Sequence, residues 1–182
     1  MTKRSILCGI LLLSLIGIVS ATNLTIGDAH ELGFVQFGIP SGDADRTAYV
    51  DVLTMMLLGT TFDDRSGTTG QFYTRSNNDF GPLAPAVFGH DGTGTSVDLG
   101  SGGFGYLFAK YDGPNFGSEV WDVSGLTGTV TIPAFGSGNK FGLSGWTLFN
   151  PGGAVPEPST YMLLGVGILL CGQRFLRLRK KA

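Results

Sequence analysis

Cysteine is nearly absent from this chain of 182 residues. Its two cysteines, Cys8 and Cys171, lie in apolar runs near the termini, so the sequence between them can form neither a disulfide framework nor a thiolate metal site. Histidine is as scarce, and neither His30 nor His90 has a second histidine at ligand spacing. The sequence between the termini must therefore rely on an apolar core, or on bound ions, for its stability.

Familiar catalytic motifs are also missing. Residues 142–146 read GLSGW and lack the closing glycine of a Gly-x-Ser-x-Gly nucleophile elbow. Residues 100–105 read GSGGFG and formally match a dinucleotide fingerprint, but residues 106–108 predict a strand where that site needs a helix. A catalytic triad assembled from distant residues would leave no such local motif. We therefore predict no catalytic residue, no cofactor and no enzymatic activity.

Charge is sparse and segregated. Charged residues make up 14% of the chain, and all 14 acidic ones lie between Asp28 and Glu157. Seven of the 12 basic residues lie instead at the two termini. An acidic middle repels a phosphate backbone, which argues against nucleic acid as a partner. Basic termini are typical of segments on the cytoplasmic side of a membrane.

Residues 1–21 are typical of a signal peptide. Basic residues precede the uncharged run 6–19, and the short side chains of Val19 and Ala21 stand where signal peptidase requires them, so that Thr22 would begin the mature chain. Signal peptidase and a Sec-type export machinery are then partners. An uncleaved anchor is the alternative, but fourteen helical residues rise only about 21 Å, less than a hydrocarbon core of roughly 30 Å.

Residues 155–182 form a tail with three parts. Val155-Pro156-Glu157-Pro158 opens it, and the two prolines predict an extended, accessible segment. An apolar stretch then predicts a transmembrane helix at about residues 160–173. The basic end, residues 174–182, contains Arg174, Arg177, Arg179, Lys180 and Lys181. The positive-inside rule keeps this end in the cytoplasm, so the domain at residues 22–154 is expected outside.

The tail resembles the PEP-CTERM sorting domain of Gram-negative bacteria, in residues 155–160 and in its basic end. The resemblance implies an exosortase, a membrane transpeptidase of that family, as the partner that acts at the Pro-Glu-Pro motif. It also implies an inner-membrane precursor with its domain in the periplasm, delivered afterwards to the outer surface or extracellular matrix. The same tail is also labelled an ice-binding protein C-terminal domain, which is no evidence of ice binding here. A plain C-terminal anchor after a proline-rich linker is the alternative.

The sequence between the ends predicts a mainly β domain. Short β-rich runs alternate with turn signals such as Asp91-Gly92, a spacing typical of a single β-sandwich or jelly roll. The predicted strands are Asn23–Ile26, Gly33–Ile39, Gln71–Arg75, Ala86–Phe88, Ser96–Leu99, Gly105–Tyr111, Glu119–Val123, Thr127–Ile132 and Leu143–Phe149.

One segment, Ser41–Leu58, predicts an accessory helix. Ser41 or Asp43 could be its N-cap, and Gly59 suits its C-cap. The apolar residues on or beside one helical face are Ala48, Val52, Met55, Tyr49, Leu53 and Met56. A long buried strand is the alternative, although the segment exceeds usual strand lengths.

Acidic loops are the one feature of this domain that could bind a metal ion. Ca²⁺ takes six to eight oxygen ligands, and carboxylates near glycines could supply some of them. The candidates are Asp43, Asp45, Asp91 and Asp98, although a solvated acidic surface or helix caps would explain the same residues. Aromatic side chains could stack on sugars, but in strands they more often fill the core. They are Tyr106, Tyr111, Trp121, Trp146 and Phe149.

Three functions are compatible with these features. The first is a non-enzymatic surface or extracellular-matrix protein that is anchored and then processed through its tail. The second is a carbohydrate-binding module, with or without the help of Ca²⁺, that associates with exopolysaccharide. The third is an exported hydrolase, for which the sequence offers only available carboxylates and serines.

Overall fold

The computed structural model describes residues 21–37, 42–111 and 116–151. These residues form ten strands and one α-helix, which confirms the predicted mainly β domain with an accessory helix. The elements in chain order are β1 (Thr22–Asn23), β2 (Glu31–Gln36), α1 (Asp43–Met55), β3 (Thr61–Asp63), β4 (Phe72–Arg75), β5 (Ala86–Gly92), β6 (Ser96–Asp98), β7 (Tyr106–Tyr111), β8 (Gly117–Asp122), β9 (Thr129–Thr131) and β10 (Leu143–Pro151), with a short 3-10 turn at Ser137–Asn139.

The strands form two sheets of unequal size. The main sheet has seven strands in the order β3-β4-β2-β8-β7-β10-β5, and every neighbouring pair is antiparallel. The small sheet has the order β1-β9-β6, with β1 parallel to β9. Strands β3 and β5 are therefore the two edges of the main sheet.

The main sheet is covered on both faces, because successive side chains of a strand point to opposite sides. From β7, Leu107 and Ala109 join a core shared with the small sheet, whereas Tyr106 and Phe108 join a core beneath α1. Full burial of one such large apolar side chain stabilises the fold by roughly 1.5–3 kcal/mol. The predicted sandwich thus fits in part: two sheets enclose one core, and the helix adds a third layer over a second core.

The helix is shorter than predicted and its ends differ. It begins after Gly42, which forms no side-chain cap, so Asp43 lies in the first turn rather than at the N-cap. Its C-cap is Met56, in extended conformation, and not Gly59. The other predicted N-cap, Ser41, lies outside the described residues.

The face that α1 buries agrees with the prediction at Tyr49, Leu53, Val52 and Met56, which are buried or pack against the core, but not at Met55. Tyr49, Val50 and Leu53 are buried against the main sheet, whereas Met55 is 76% exposed. Leu53 packs above Gly33 of β2, where a Cβ on the glycine would lie 3.0 Å from the Cδ2 atom of the leucine. The missing side chain of Gly33 therefore leaves room for Leu53 on the sheet.

Two strand predictions were wrong in detail. Strand β3 was missed, because all three of its residues are exposed at a sheet edge and show no alternation. The predicted turn at Asp91-Gly92 lies inside β5, which continues to Gly92. A Cβ on Gly92 would lie 2.0 Å from Cζ2 of Trp146, so this glycine makes room for an indole ring and does not turn the chain.

Among the described residues, no helix is both long and apolar enough to cross a membrane. The predicted signal segment up to residue 20 and the predicted transmembrane helix at about residues 160–173 lie outside those residues.

Candidate functional site

A cavity of about 280 Å³, with a mostly apolar lining that carries several polar groups, opens at the end of the main sheet where β10 begins. Strand β10 is irregular there, because its pairing with β7 shifts register between Leu143 and Gly145. The irregularity places Ser144 at the cavity wall, together with parts of α1, β5 and β7. The polar side chains that line the cavity are those of Arg46, Asp91, Thr93, Lys110, Ser144 and Thr147.

One side of the cavity is a charged network that ties α1 to the sheet. The Nη1 of Arg46 donates to Oδ1 of Asp91 at 2.6 Å and also to Oγ1 of Thr147. The hydroxyl of Thr147 donates in turn to Oδ1 of Asp91 at 2.6 Å. Asp43, one turn before Arg46 on α1, completes the network at 3.1 Å from Nη2. Thr147 is fully buried and the Arg46 side chain is only 14% exposed, so these hydrogen bonds are largely shielded from solvent and fix the side chains of this wall.

The structure does not bring the four calcium candidates together. Asp43 contacts Nη2 of Arg46 and Asp91 contacts Nη1, so this guanidinium already supplies the positive charge that both carboxylates need. Asp45 is exposed in the first turn of α1. Asp98 lies on β6 in the small sheet, where its Oδ1 accepts the Gly100 N–H at 2.8 Å. Across the described ranges, no group of three or more His, Cys, Asp or Glu residues could hold a metal ion.

Lys110 is the site residue that sequence reasoning missed. It is the half-buried member of β7, a strand whose other residues are buried, and it lines the cavity. No ion pair of Lys110 occurs within the part of the chain that the structure describes. A single charged side chain in an otherwise apolar strand was the available signal, because burial of an ammonium group is costly unless a partner or solvent meets it.

The aromatic candidates belong to the cores. Trp121, Tyr111 and Phe149 are fully buried, Tyr106 is 2% exposed and Trp146 is 8% exposed. The hydroxyl of Tyr106 donates to the carbonyl oxygen of Ala84, as a buried phenol requires. These rings stabilise the domain, and Trp146 also lines the cavity.

The last strand, β10, ends at Pro151, and residues 154–180 match the family model of the PEP-CTERM protein-sorting motif. The chain carries a PEP-CTERM sorting tail. This match confirms the predicted resemblance, and it covers the tail alone. The PEP-CTERM tail implies an exported protein that is anchored in a membrane and then processed by an exosortase. No curated protein and no solved structure matches the chain.

The residues of the PEP-CTERM tail, Val155 to Pro158 and the basic end, lie outside the described residues, as does Val19 of the predicted cleavage site. Ala21 and Thr22 are described. Thr22 begins β1, where it pairs with Val130 of β9. A cut after Ala21 would therefore leave β1 complete, and that cut remains a prediction.

Proposed function

We propose that the chain is a non-enzymatic surface or extracellular-matrix protein. Its β domain is exported and is then released from the membrane by processing of the PEP-CTERM tail. The observation that supports this is the position of the tail: residues 154–180 follow the last strand almost directly. The precursor is held in the inner membrane with its domain in the periplasm. An exosortase then acts at the Pro-Glu-Pro motif and frees the domain for the outer surface or the matrix.

Replacing Pro156, Glu157 and Pro158 together with alanine is expected to stop processing. The prolines fix an extended backbone that an enzyme cleft can hold, and alanine would favour continuation of the following helix. The measurement is the intact mass of the envelope-associated protein in exosortase-competent cells. We expect the variant to keep the basic end, residues 174–182, and the parent chain to lose it.

The matched control replaces Gly152 and Gly153 with alanine, which alters the same stretch of chain but leaves the motif intact. This control should be processed like the parent. A parent protein that retains residues 174–182 in such cells would contradict the processing step.

A second candidate is binding of exopolysaccharide in the cavity at the start of β10. Its volume of about 280 Å³ is close to the lower limit of small-molecule pockets and suits one sugar unit. The ammonium group of Lys110, the carboxylate of Asp91 and the hydroxyl of Ser144 line it, and they offer donors and acceptors for sugar hydroxyls or a uronate. Arg46 already pairs with the two nearest carboxylates, so this binding would not need calcium.

Lys110→Met tests this candidate, because methionine keeps much of the apolar stem and removes the charge. We expect a glycan array to show binding by the parent domain that EDTA does not change, and binding by the variant that is at least about tenfold weaker, the loss of one charge-assisted hydrogen bond. Lys140→Met, in the exposed turn before β10, is the control and should bind like the parent. Absence of binding by the parent with and without EDTA would remove the candidate.

A further inference from the structure

The place where the chain leaves the domain is tightly defined. Strand β10 lies inside the main sheet, between β7 and β5, and its last residue, Pro151, pairs with Ala86 at the start of β5. An extended chain spans at most about 3.6 Å per residue. The Cα atom of Val155 therefore lies within about 14 Å of that of Pro151, and the Cα atom of Pro158 within about 25 Å.

These distances are shorter than a folded enzyme domain is wide. A compact domain of about 100 residues has a radius of gyration of about 13 Å, and thus a diameter above 25 Å. An enzyme that holds residues 155–158 in its cleft is therefore held close to the end of the main sheet where β10 ends and β5 begins.

The open sheet edge at this place carries an exposed apolar side chain on each face of the sheet, because successive residues of a strand point to opposite sides. Val87 is 49% exposed and Phe88 is 36% exposed, and they pair with Asn150 and Phe149 in the last part of the ladder before the exit. Strand β5 is the outermost strand, so its second edge has no neighbour in the described part of the sheet. Exposed apolar side chains on an edge strand are a common site of protein association.

The charge around the exit favours a protein over a lipid surface. The carboxylate of Asp51 accepts the N–H of Ala86 at 2.7 Å, and the exposed Asp79 and the buried Asp122 lie on the segments beside it. The described basic side chains that reach solvent lie elsewhere: Arg46 and Lys110 at the opposite end of β10, Lys140 just before β10, and Arg65 beyond β3. The buried Arg75 interacts with Asp79 and Asp122 and offsets part of their charge. No described basic side chain at this end reaches solvent to attract an anionic bilayer.

We propose that the β5 edge at Val87 and Phe88 is the surface that the exosortase contacts while it holds the sorting motif. The proposal rests on the proposed function, because it requires that an exosortase processes the tail. The domain then takes part in its own processing, and residues outside the motif set the rate of that step.

Val87→Glu and Phe88→Glu test the contact, each placing a charge on the apolar edge. We expect pulse-chase labelling of the full chain in exosortase-competent cells to show processing at least about fivefold slower for both. Leu57→Glu is the matched control: Leu57 is 78% exposed and precedes β3, at the other edge of the main sheet, so it should be processed at the parent rate. Processing of both edge variants at the parent rate, or an equal delay for the control, would overturn the proposal.

Two further variants separate contact from other causes. Insertion of ten Gly/Ser residues between Gly152 and Gly153 lengthens the reach to the motif by about 36 Å and frees the enzyme from the edge. In this longer chain Val87→Glu should be processed as fast as its own parent, and an undiminished delay would mean that misfolding, not contact, is the cause. Val87→Lys should slow processing as Val87→Glu does, whereas faster processing would show that the edge meets an anionic membrane and would overturn the proposal.

Failure of the proposed function gives a different result from failure of this inference. If no exosortase processes the chain, the parent and the motif variant both keep the basic end, and no rate exists to compare. If the tail is processed but the edge variants keep the parent rate, the proposed function stands and only the contact is wrong.

Discussion

Replacing Gly117 with alanine is expected to lower the free energy of unfolding of the domain by about 3 kcal/mol or more. Gly117 begins β8 with φ +148, a conformation that L side chains rarely adopt. A Cβ at this position would lie 2.1 Å from the carbonyl oxygen of Val35 on β2. That oxygen belongs to the backbone of a central strand and cannot move without disturbing the ladder between β2 and β8.

Urea unfolding of residues 22–154, followed by the fluorescence of Trp121 and Trp146, measures this loss. Gly142→Ala is the matched control, since a Cβ there meets nothing within 4 Å and the backbone has no positive φ. The control should stay within about 0.5 kcal/mol of the parent. Equal stability of the two variants would show that β2 and β8 do not approach as closely as the structure places them.

The second large effect concerns Glu119, whose carboxyl group is buried in the centre of the main sheet. Its side chain is 2% exposed, and it stands opposite Ala109 of β7 and Phe34 of β2. Oε2 has no hydrogen-bond partner among the described residues. Burial, with a smaller contribution from the charge of Glu31, raises the pKa of Glu119 to about 9.

The sign of the pH dependence follows from this pKa. Between pH 4.5 and about 9 the folded domain keeps the proton of Glu119, whereas the unfolded chain releases it. The unfolded state then binds fewer protons, so stability falls as pH rises through that window, by up to about 1.4 kcal/mol per pH unit. Below pH 4.5 both states hold the proton and this contribution no longer changes.

Glu119→Gln removes the titrating group and keeps the shape of the side chain. We expect the stability of the variant relative to the parent to increase by about 3 kcal/mol between pH 5.5 and pH 8, measured by urea unfolding at both values. Gly142→Ala, which changes no titratable group, is the control and should show a nearly constant difference. A constant difference for Glu119→Gln as well would mean that the buried carboxyl is ionised in the folded domain.

The sequence alone predicted the elements whose signal is local. Strands such as β7 and β10 show runs of β-forming residues between glycine-rich turns, and Ser41–Leu58 shows a helical period. The PEP-CTERM tail is contiguous and its residue types follow one another in a fixed order. It can therefore be recognised from the sequence without a structure. Strand β3 was not predicted, because a strand exposed at a sheet edge needs no alternation of apolar and polar residues.

The cavity could not be predicted in this way. Its network joins Arg46 to Asp91, 45 residues away, and to Thr147, 101 residues away. Two carboxylates that looked like calcium ligands in the sequence became partners of Arg46. Asp43 lies three residues earlier on the same helix, and Asp91 is brought to the guanidinium by the packing of α1 on the sheet. Charge type is visible in a sequence, but the neighbour that neutralises the charge is set by the packing.

The PEP-CTERM tail and the β-rich character of the domain were thus determined by the sequence itself, since sorting motifs and strand patterns act through adjacent residues. Tertiary structure alone decided where Glu119 is buried, which glycines permit close strands, and that the tail leaves the domain beside the apolar edge of β5. Each of these depends on strand order and register, which join residues far apart in the chain and leave no local pattern.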